Sequence, residues 1–198
     1  MTENQPKQVK SISQLPRIRL QTRDLGLRRN GNWLFQNLEL NISGGNFVAV
    51  LGPSGVGKSS LLSCLCGSEK PTEGTVNFKI DNEEERDPES ISPHLGVIFQ
   101  NLRLTAHATV LDNVLYGRLG KYKLKETLWG FSQKSRQEAY TILEDLGIPH
   151  LAYKWMTQTS GGEQQRTAIA RTLFHDPKII LADEPVSNLD TYYAGRIL

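Results

Sequence analysis

GPSGVGKS, Gly52 to Ser59, stands between an apolar run, FVAVL (Phe47 to Leu51), and a second one that begins at Leu61. An ordinary turn from strand to helix has no need of a lysine and a hydroxyl together at the helix start. The stretch fits G-x-x-x-x-G-K-[ST], in which glycines let successive backbone N–H groups curl around phosphate oxygens at the positive end of a helix dipole. In that pattern Lys58 supplies a point charge to the β and γ phosphates and the Ser59 hydroxyl holds Mg²⁺. The stretch is therefore read as a cradle for a nucleoside triphosphate. Its candidate contacts are Gly52, Pro53, Ser54, Gly55, Val56, Gly57, Lys58, Ser59 and Ser60.

Working outward, FVAVL is apolar without alternation, as a strand covered on both faces should be, and Leu61, Leu62 and Leu65 fall at helical spacing after the cradle. Further along, KIILA ends in Asp183 and Glu184. The carboxyl ends of strands are where open α/β sheets bind their ligands, and a carboxylate there holds Mg²⁺ through water, which is the role read for Asp183. Glu184, one residue later on an extended chain, points elsewhere. It is the candidate general base that orients, or takes a proton from, the water attacking a γ-phosphate.

The rest of the chain supplies the frame for these sites. Residues 1–16 are polar and read as a flexible leader ending at Pro16, with a domain over 17–198. IRLQT and LFQNLELNI, joined at Asn30-Gly31, predict a β-hairpin, and Thr75 to Phe78 and Gly96 to Phe99 predict two more strands. Mostly helical patterns follow, giving a helical subdomain over approximately 101–165. One of them has Ala139, Ile142, Leu143 and Leu146 on one face, with Gly147 as its stop. A further helix begins at SGGEQQRTAIARTLF, with Ala168, Ile169 and Leu173 expected on the core and Gln164 and Gln165 in solvent. The order predicts an α/β fold: a mostly parallel core sheet, an antiparallel N-terminal β subdomain and a helical insertion.

Composition sets bounds on function. With 198 residues, 38% hydrophobic and 22% charged, the chain is long enough for a sizeable core and shows no apolar run near the ~20 residues that span a bilayer. The N-terminus lacks the apolar region of a secretory signal, so the expected compartment is the cytoplasm. Cys64 and Cys66 lack a second Cys or His pair nearby and read as small hydrophobes rather than zinc ligands. The basic stretch Arg118 to Arg136 reads as solvated surface, with no nucleic acid expected as partner, although Tyr122, Trp129 and Phe131 within it leave an anionic surface open.

QTSGGEQQR (Gln158 to Arg166) puts a hydroxyl and unshielded N–H groups of Ser160, Gly161 and Gly162 at another helix start, a second anion site that one nucleotide does not need. GPSGVGKS, the glutamine of VIFQ (Gln100), TSGGEQQR, IILADEP and SNLD occur in the order and spacing of the ABC-type ATPases, and the chain from about Ile18 onward resembles that family. The resemblance implies a P-loop NTPase (RecA-like) core, ATP and Mg²⁺ as cofactors, and a head-to-tail dimer with a second copy of an ABC ATPase. In such a dimer the Ser-Gly-Gly of one copy, here Ser160 to Gly162, closes on ATP held by the other. It implies that Gln100 contacts Mg²⁺ and relays nucleotide state to a membrane partner, that Gln100 acts with Lys58 and Glu184 as the catalytic set, and that Asp190 belongs to the loop that joins the two sites. NVLYGRLG, LWGFSQKSRQEAYTILEDLGI and AYKWMTQTSGGEQQRTAIARTL look most like the ATP-binding subunits of phosphonate importers. That match implies two membrane permease subunits, an extracytoplasmic substrate-binding protein acting indirectly, and a peripheral place on the cytoplasmic face of the inner membrane. The nucleotide motifs are shared with amino-acid importers and lipoprotein-releasing ATPases.

Departures from the pattern are part of the reading. Thr159 stands where the family usually has Leu, and Arg29 or Trp33 takes the place of an aromatic expected to stack on adenine. None of the four histidines follows Asp183, where the family continues with more of the core and a switch histidine. The expectation is a core truncated at its C-terminal part, in a fragment or in a shortened chain that binds nucleotide but hydrolyses it poorly.

Overall fold

A computed structural model describes residues 17–81, 83–121 and 130–185. Two compact units divide the chain after Ser90. The elements run β1 (Ile18–Arg29), β2 (Asn32–Ser43), α1 (Lys58–Leu65), β3 (Glu73–Ile80), α2 (Pro88–Ile91), β4 (Leu95–Ile98), α3 (Val110–Leu115), α4 (Gln133–Asp145), α5 (Gly161–His175) and β5 (Ile179–Ala182), with single 3₁₀ turns between several of them.

The first unit is built on an antiparallel sheet in the order β2-β1-β3. Asn30 and Gly31 both sit at positive φ, 52° and 84°, which matches the right-handed strand twist and closes the hairpin as the sequence predicts. Leu20 and Thr22 face inward by simple alternation, but Leu25 and Leu27 are also buried, which requires the parity to change between them. A bulge at Asp24 (φ 47°) makes that change. The ladder it interrupts is repaired by one hydroxyl: Thr22 Oγ1 donates to Leu38 O and accepts from Leu40 N, both at 2.8 Å. β3 completes the buried face with Val76, Phe78 and Ile80.

FVAVL differs from its expectation. Phe47, Val48, Val50 and Leu51 belong to no strand and are exposed, Leu51 to 89%. An apolar strand is held by ladder partners at its edges and by layers on both faces. In the first unit the paired strands are β1, β2 and β3, with one isolated bridge from Phe78 to Arg86, and the run is paired with none of them. Hydrophobicity alone gives it no ladder to join.

In the second unit β4 and β5 pair in parallel, and the Asp183 N–H extends their ladder by donating to Ile98 O at 2.9 Å. Three side-chain caps start the helices: Thr109 Oγ1 accepts from Asp112 N, Ser132 Oγ from Ser135 N, and Ser160 Oγ from Glu163 N. The core joins Val110, Val114 and Leu115 of α3, Ala139 and Leu143 of α4, Ile148 and Leu151 after it, and Ile169, Ala170 and Phe174 of α5. Gly147, at φ 72°, ends α4 as predicted. Ala168 and Ile169 are buried, but Leu173 is 43% exposed. It lies one heptad after the half-buried Arg166, at the edge of the helix face that Phe174 anchors instead.

Asn113 of α3 is fully buried and all its hydrogen bonds are internal. Its Oδ1 accepts from Thr105 N at 2.8 Å, and its Nδ2 donates to Thr105 O and Thr109 O at 3.0 Å. Replacing it by Leu leaves a buried N–H without an acceptor and two carbonyls short of a donor, a loss of about 3 kcal/mol. Urea unfolding of Asn113→Leu should show a loss of that order. A loss under about 1 kcal/mol would mean that the 105–109 loop is held by something other than this amide.

Candidate functional site

In the first unit the phosphate loop is shaped by two glycines in the left-handed region, Gly55 at φ 80° and Gly57 at φ 105°. A side chain is strained at such angles, so the glycines are required by backbone conformation rather than by space. Gly57 caps α1, and its carbonyl accepts from Leu61 N at 2.8 Å. A Cβ added there would sit 3.4 Å from Leu34 Cβ, so the loop is seated on β2. The Lys58 ammonium folds over this loop and donates to Gly52 O and Pro53 O, both at 2.9 Å. Gly52 to Val56 and Ser59 are exposed, while Ser60 is turned into the protein. Leu61 and Leu65 carry the buried face of α1, as its spacing predicts, and burial beside them pushes the Cys64 thiol up to about 11.

The residues considered for stacking on a base are also in this unit. The Arg29 guanidinium donates to Glu69 Oε1 at 2.6 Å. Trp33, cross-strand from Arg28, is 39% exposed, with the Arg28 guanidinium 5.8 Å from its ring centroid.

In the second unit, the parallel pair delivers Gln100, Asp183 and Glu184 at the carboxyl ends of its strands. Asp183 is half-buried, and Gln100 and Glu184 are exposed. Glu184 is strained, at φ 50°. Its carbonyl accepts from Gln165 Nε2 at 3.1 Å, and Gln165 itself is only 2% exposed. The expectation that Gln165 faces solvent is therefore corrected. Residues 165, 168, 169 and 172 share one face of α5, and the helical period that places Ala168 inside places Gln165 there too. Its polarity suggested otherwise, but a buried amide is stable where its donors and acceptors find partners. Gln164 is half-buried and donates to Thr159 O at 3.2 Å.

Arg171 of α5 also serves this end of the sheet. Its Nη1 donates to Arg103 O at 2.8 Å and its Nη2 to Leu102 O at 2.7 Å, so the chain just after Gln100 is clamped to the helix. Burial, with the charge of Arg103 second, holds this guanidinium below its usual range. Gly117 allows the turn after α3 to approach, since a Cβ there would run into the Arg171 carbonyl. A cavity of about 360 Å³ brings Gln100 together with Gly161 and Gln164, over a floor that includes Leu102 and Met156.

At the start of α5, Ser160 and Glu163 form a reciprocal cap. Glu163 Oε2 accepts from Ser160 N at 2.7 Å and from Ser160 Oγ at 2.9 Å. Thr159 donates its hydroxyl to Met156 O at 2.7 Å, so the departure at this position is satisfied locally. Gly161 is exposed and Gly162 half-buried. Asp190 lies outside the described residues. None of the described helices is long and apolar enough to cross a membrane.

Comparison with known proteins agrees with this layout. The family model described as ABC transporter matches residues 35–187. The Phosphonates import ATP-binding protein PhnC 2 of Oceanobacillus iheyensis is 39% identical over 176 residues, covering 86% of this chain and 69% of that protein. The dimeric structure of a bacterial ABC transporter cassette superposes with a TM-score of 0.76 at 31% identity, covering 90% of this chain and 79% of the other. A dimeric post-hydrolysis state of that cassette, bound to ADP and Pi, gives 0.76 at 32%, with the same coverage of 90% and 79%.

The Ser160–Glu163 cap predicts a pH dependence. The Ser160 N–H does most to hold the Glu163 carboxyl below its ordinary value of 4.5; partial burial opposes this, and the Ser160 hydroxyl, Arg166 and Lys154 assist it. A carboxyl whose folded value is depressed contributes stability that is fully present above its unfolded value and is lost as pH falls through the folded one. Between pH 6 and pH 3 the urea midpoint should therefore fall in part through this group, and Glu163→Gln should flatten that part. Parallel curves for the two proteins would show that the cap adds nothing.

Proposed function

The chain belongs to the ABC transporter family, and we propose that it is the ATP-binding and ATP-hydrolysing subunit of an import complex for phosphonates. The observation that carries this reading is that one chain holds two glycine-bearing helix starts, the loop of Gly55, Gly57 and Lys58 and the Ser160 to Gly162 turn, and the reading takes both as anion sites. Each is half of a site for a triphosphate. The substrate class is supported by the name of the relative 39% identical to this chain.

In this reading Gly52 to Ser60 bind the ATP phosphates, with the loop N–H groups as donors and Lys58 as the charge. Ser59, Gln100 and Asp183 offer a hydroxyl, an amide and a carboxylate oxygen, the hard donors that suit Mg²⁺, whose contribution when bound is to neutralise phosphate charge. Glu184 takes the proton of the attacking water. Ser160, Gly161 and Gly162 reach the γ-phosphate held by a second copy. Two permease subunits receive the motion at the inner face of the membrane, and a substrate-binding protein feeds them from outside. Domain limits of 17–198, with a helical subdomain over about 101–165, suit this arrangement.

Trp33 is the base platform in this reading. Arg29 is committed to Glu69, whereas Trp33 keeps an exposed ring backed by a cation. Trp33→Ala should weaken ATP binding about tenfold, a stacking loss of the usual size, and Arg29→Ala should leave it within twofold. The reverse order in equilibrium titrations would assign the base to Arg29.

Binding and chemistry separate by mutation. Lys58→Ala should abolish MgATP binding, measured by equilibrium dialysis. Glu184→Gln should bind normally, release phosphate at least a hundredfold more slowly in single turnover, and scatter light as a dimer with MgATP present. Wild-type chain that binds MgATP yet never releases phosphate, even with permease subunits present, would exclude the hydrolytic role.

A further inference from the structure

We propose that Gln165 is a positioning residue for Glu184, and that α5 thereby sets the aim of the carboxylate at which water is activated. The inference rests on the reading of Glu184 as that carboxylate.

Glu184 is pinned on both sides. The residue before it is fixed to the sheet, because Asp183 N donates to Ile98 O at 2.9 Å. Its own carbonyl is fixed to the helix by Gln165 Nε2 at 3.1 Å. Between these anchors Glu184 adopts φ 50°, a conformation that a non-glycine residue keeps only when its surroundings impose it. The direction of the Cα–Cβ bond, and with it that of the carboxylate, follows from this backbone. Without the amide, the peptide after Glu184 is free to rotate and the residue can relax toward the ordinary extended region.

The amide is suited to the task because it is buried. At 2% exposure it competes with little water for the Glu184 carbonyl, and its helix is held by a packed face that includes Ile169, Ala170 and Phe174. A glutamine exposed on the same helix would gain and lose such a bond freely. Gln165 lies little more than one turn from Ser160, the end of α5 that in the proposed dimer meets the γ-phosphate of a second copy. One rigid helix therefore carries a group for one site at its tip and holds the base of the other site along its side. A shift of the tip on docking moves the anchor of Glu184 as well. The coupling is geometric and needs no further element.

The test is a double-mutant cycle in the full chain, read by single-turnover hydrolysis of γ-labelled ATP and by equilibrium binding of MgATP. Gln165→Met, which keeps the length and removes the donor, should slow phosphate release about thirtyfold, the order expected when a catalytic group is misplaced by a fraction of an ångström to an ångström, with the dissociation constant unchanged within twofold. An unfolding midpoint of Gln165→Met equal to that of the wild type guards against a packing defect in the variant. In the Glu184→Gln background, Gln165→Met should change the residual rate by less than twofold, because the group it positions is already disabled. Losses that multiply would show that Gln165 acts on the fold alone and overturn the proposal. Should Glu184→Gln keep the wild-type rate, the assignment of the base fails instead, and hydrogen exchange over residues 181–185 then decides on the brace. Faster exchange there in Gln165→Met, at an unchanged unfolding midpoint, supports it; unchanged exchange overturns it.

Discussion

The guanidinium of Arg171 is held against two main-chain carbonyls, and the second unit depends on that contact together with the packed face of the helix that carries it. Taking a cation out of water is costly, and Arg171 meets carbonyl oxygens rather than a carboxylate. Hydrogen bonds from a charged donor to carbonyls contribute about 1.5–3 kcal/mol each, enough to offset partial burial but with little surplus. The clamp is therefore better understood as fixing a conformation than as adding stability. It holds Leu102 and Arg103 so that the chain leaves β4, exposes Gln100, and turns back toward α3. At Thr105 the buried Asn113 takes over. Between these holds the loop has little freedom, and the cavity beside Gln100 keeps its walls.

The phosphate loop obeys a different logic. Its donors are main-chain N–H groups arranged by positive-φ glycines, and among the described residues its cation has neutral partners, the carbonyls of Gly52 and Pro53. In the proposed site a phosphate offers full charges where the loop offers dipoles, so the ammonium would gain by exchanging them. This explains why a lysine is useful here and an arginine is not. Three rotatable donors on a flexible stem can leave the carbonyls one at a time, whereas a planar fork would have to be re-aimed as a whole.

What was legible in the sequence was local. The Asn30-Gly31 turn, the Ser160 start of α5, the Gly147 stop and the acids at the end of β5 each follow from a few adjacent residues, and each is found where the pattern puts it. What was not legible depends on partners far along the chain. FVAVL has the composition of a core strand, but a strand exists by its ladder, and no local signal says which edge will accept it. Leu173 and Phe174 are neighbours of equal hydrophobicity, and only the packing of α3 and α4 on α5 decides between them. Gln165 is the more instructive case. Its position in the helical period pointed inward while its polarity pointed outward, and the carbonyl that resolves the conflict belongs to a residue 19 positions away.

The proposed assembly follows from how the two anion sites are divided. If the loop and the Ser160 turn served one nucleotide within one chain, the symmetry of a pair would be an accident. If they serve different nucleotides, a two-fold axis relates two chains such that each gives its loop to one ATP and its α5 tip to the other, and the contact closes on itself without leaving a free half-site. Nucleotide then belongs to the interface, and association gains the binding free energy of two ligands that the separate chains hold only by half. In the proposed dimer hydrolysis removes the γ-phosphate, the group assigned to the α5 tip, so the event that consumes ATP would be the event that loosens the pair. Because α5 also holds the loop after Gln100 through Arg171 and the main chain of Glu184 through Gln165, a displacement of the helix in the proposed dimer would move the Glu184 carboxylate and the Gln100 loop together.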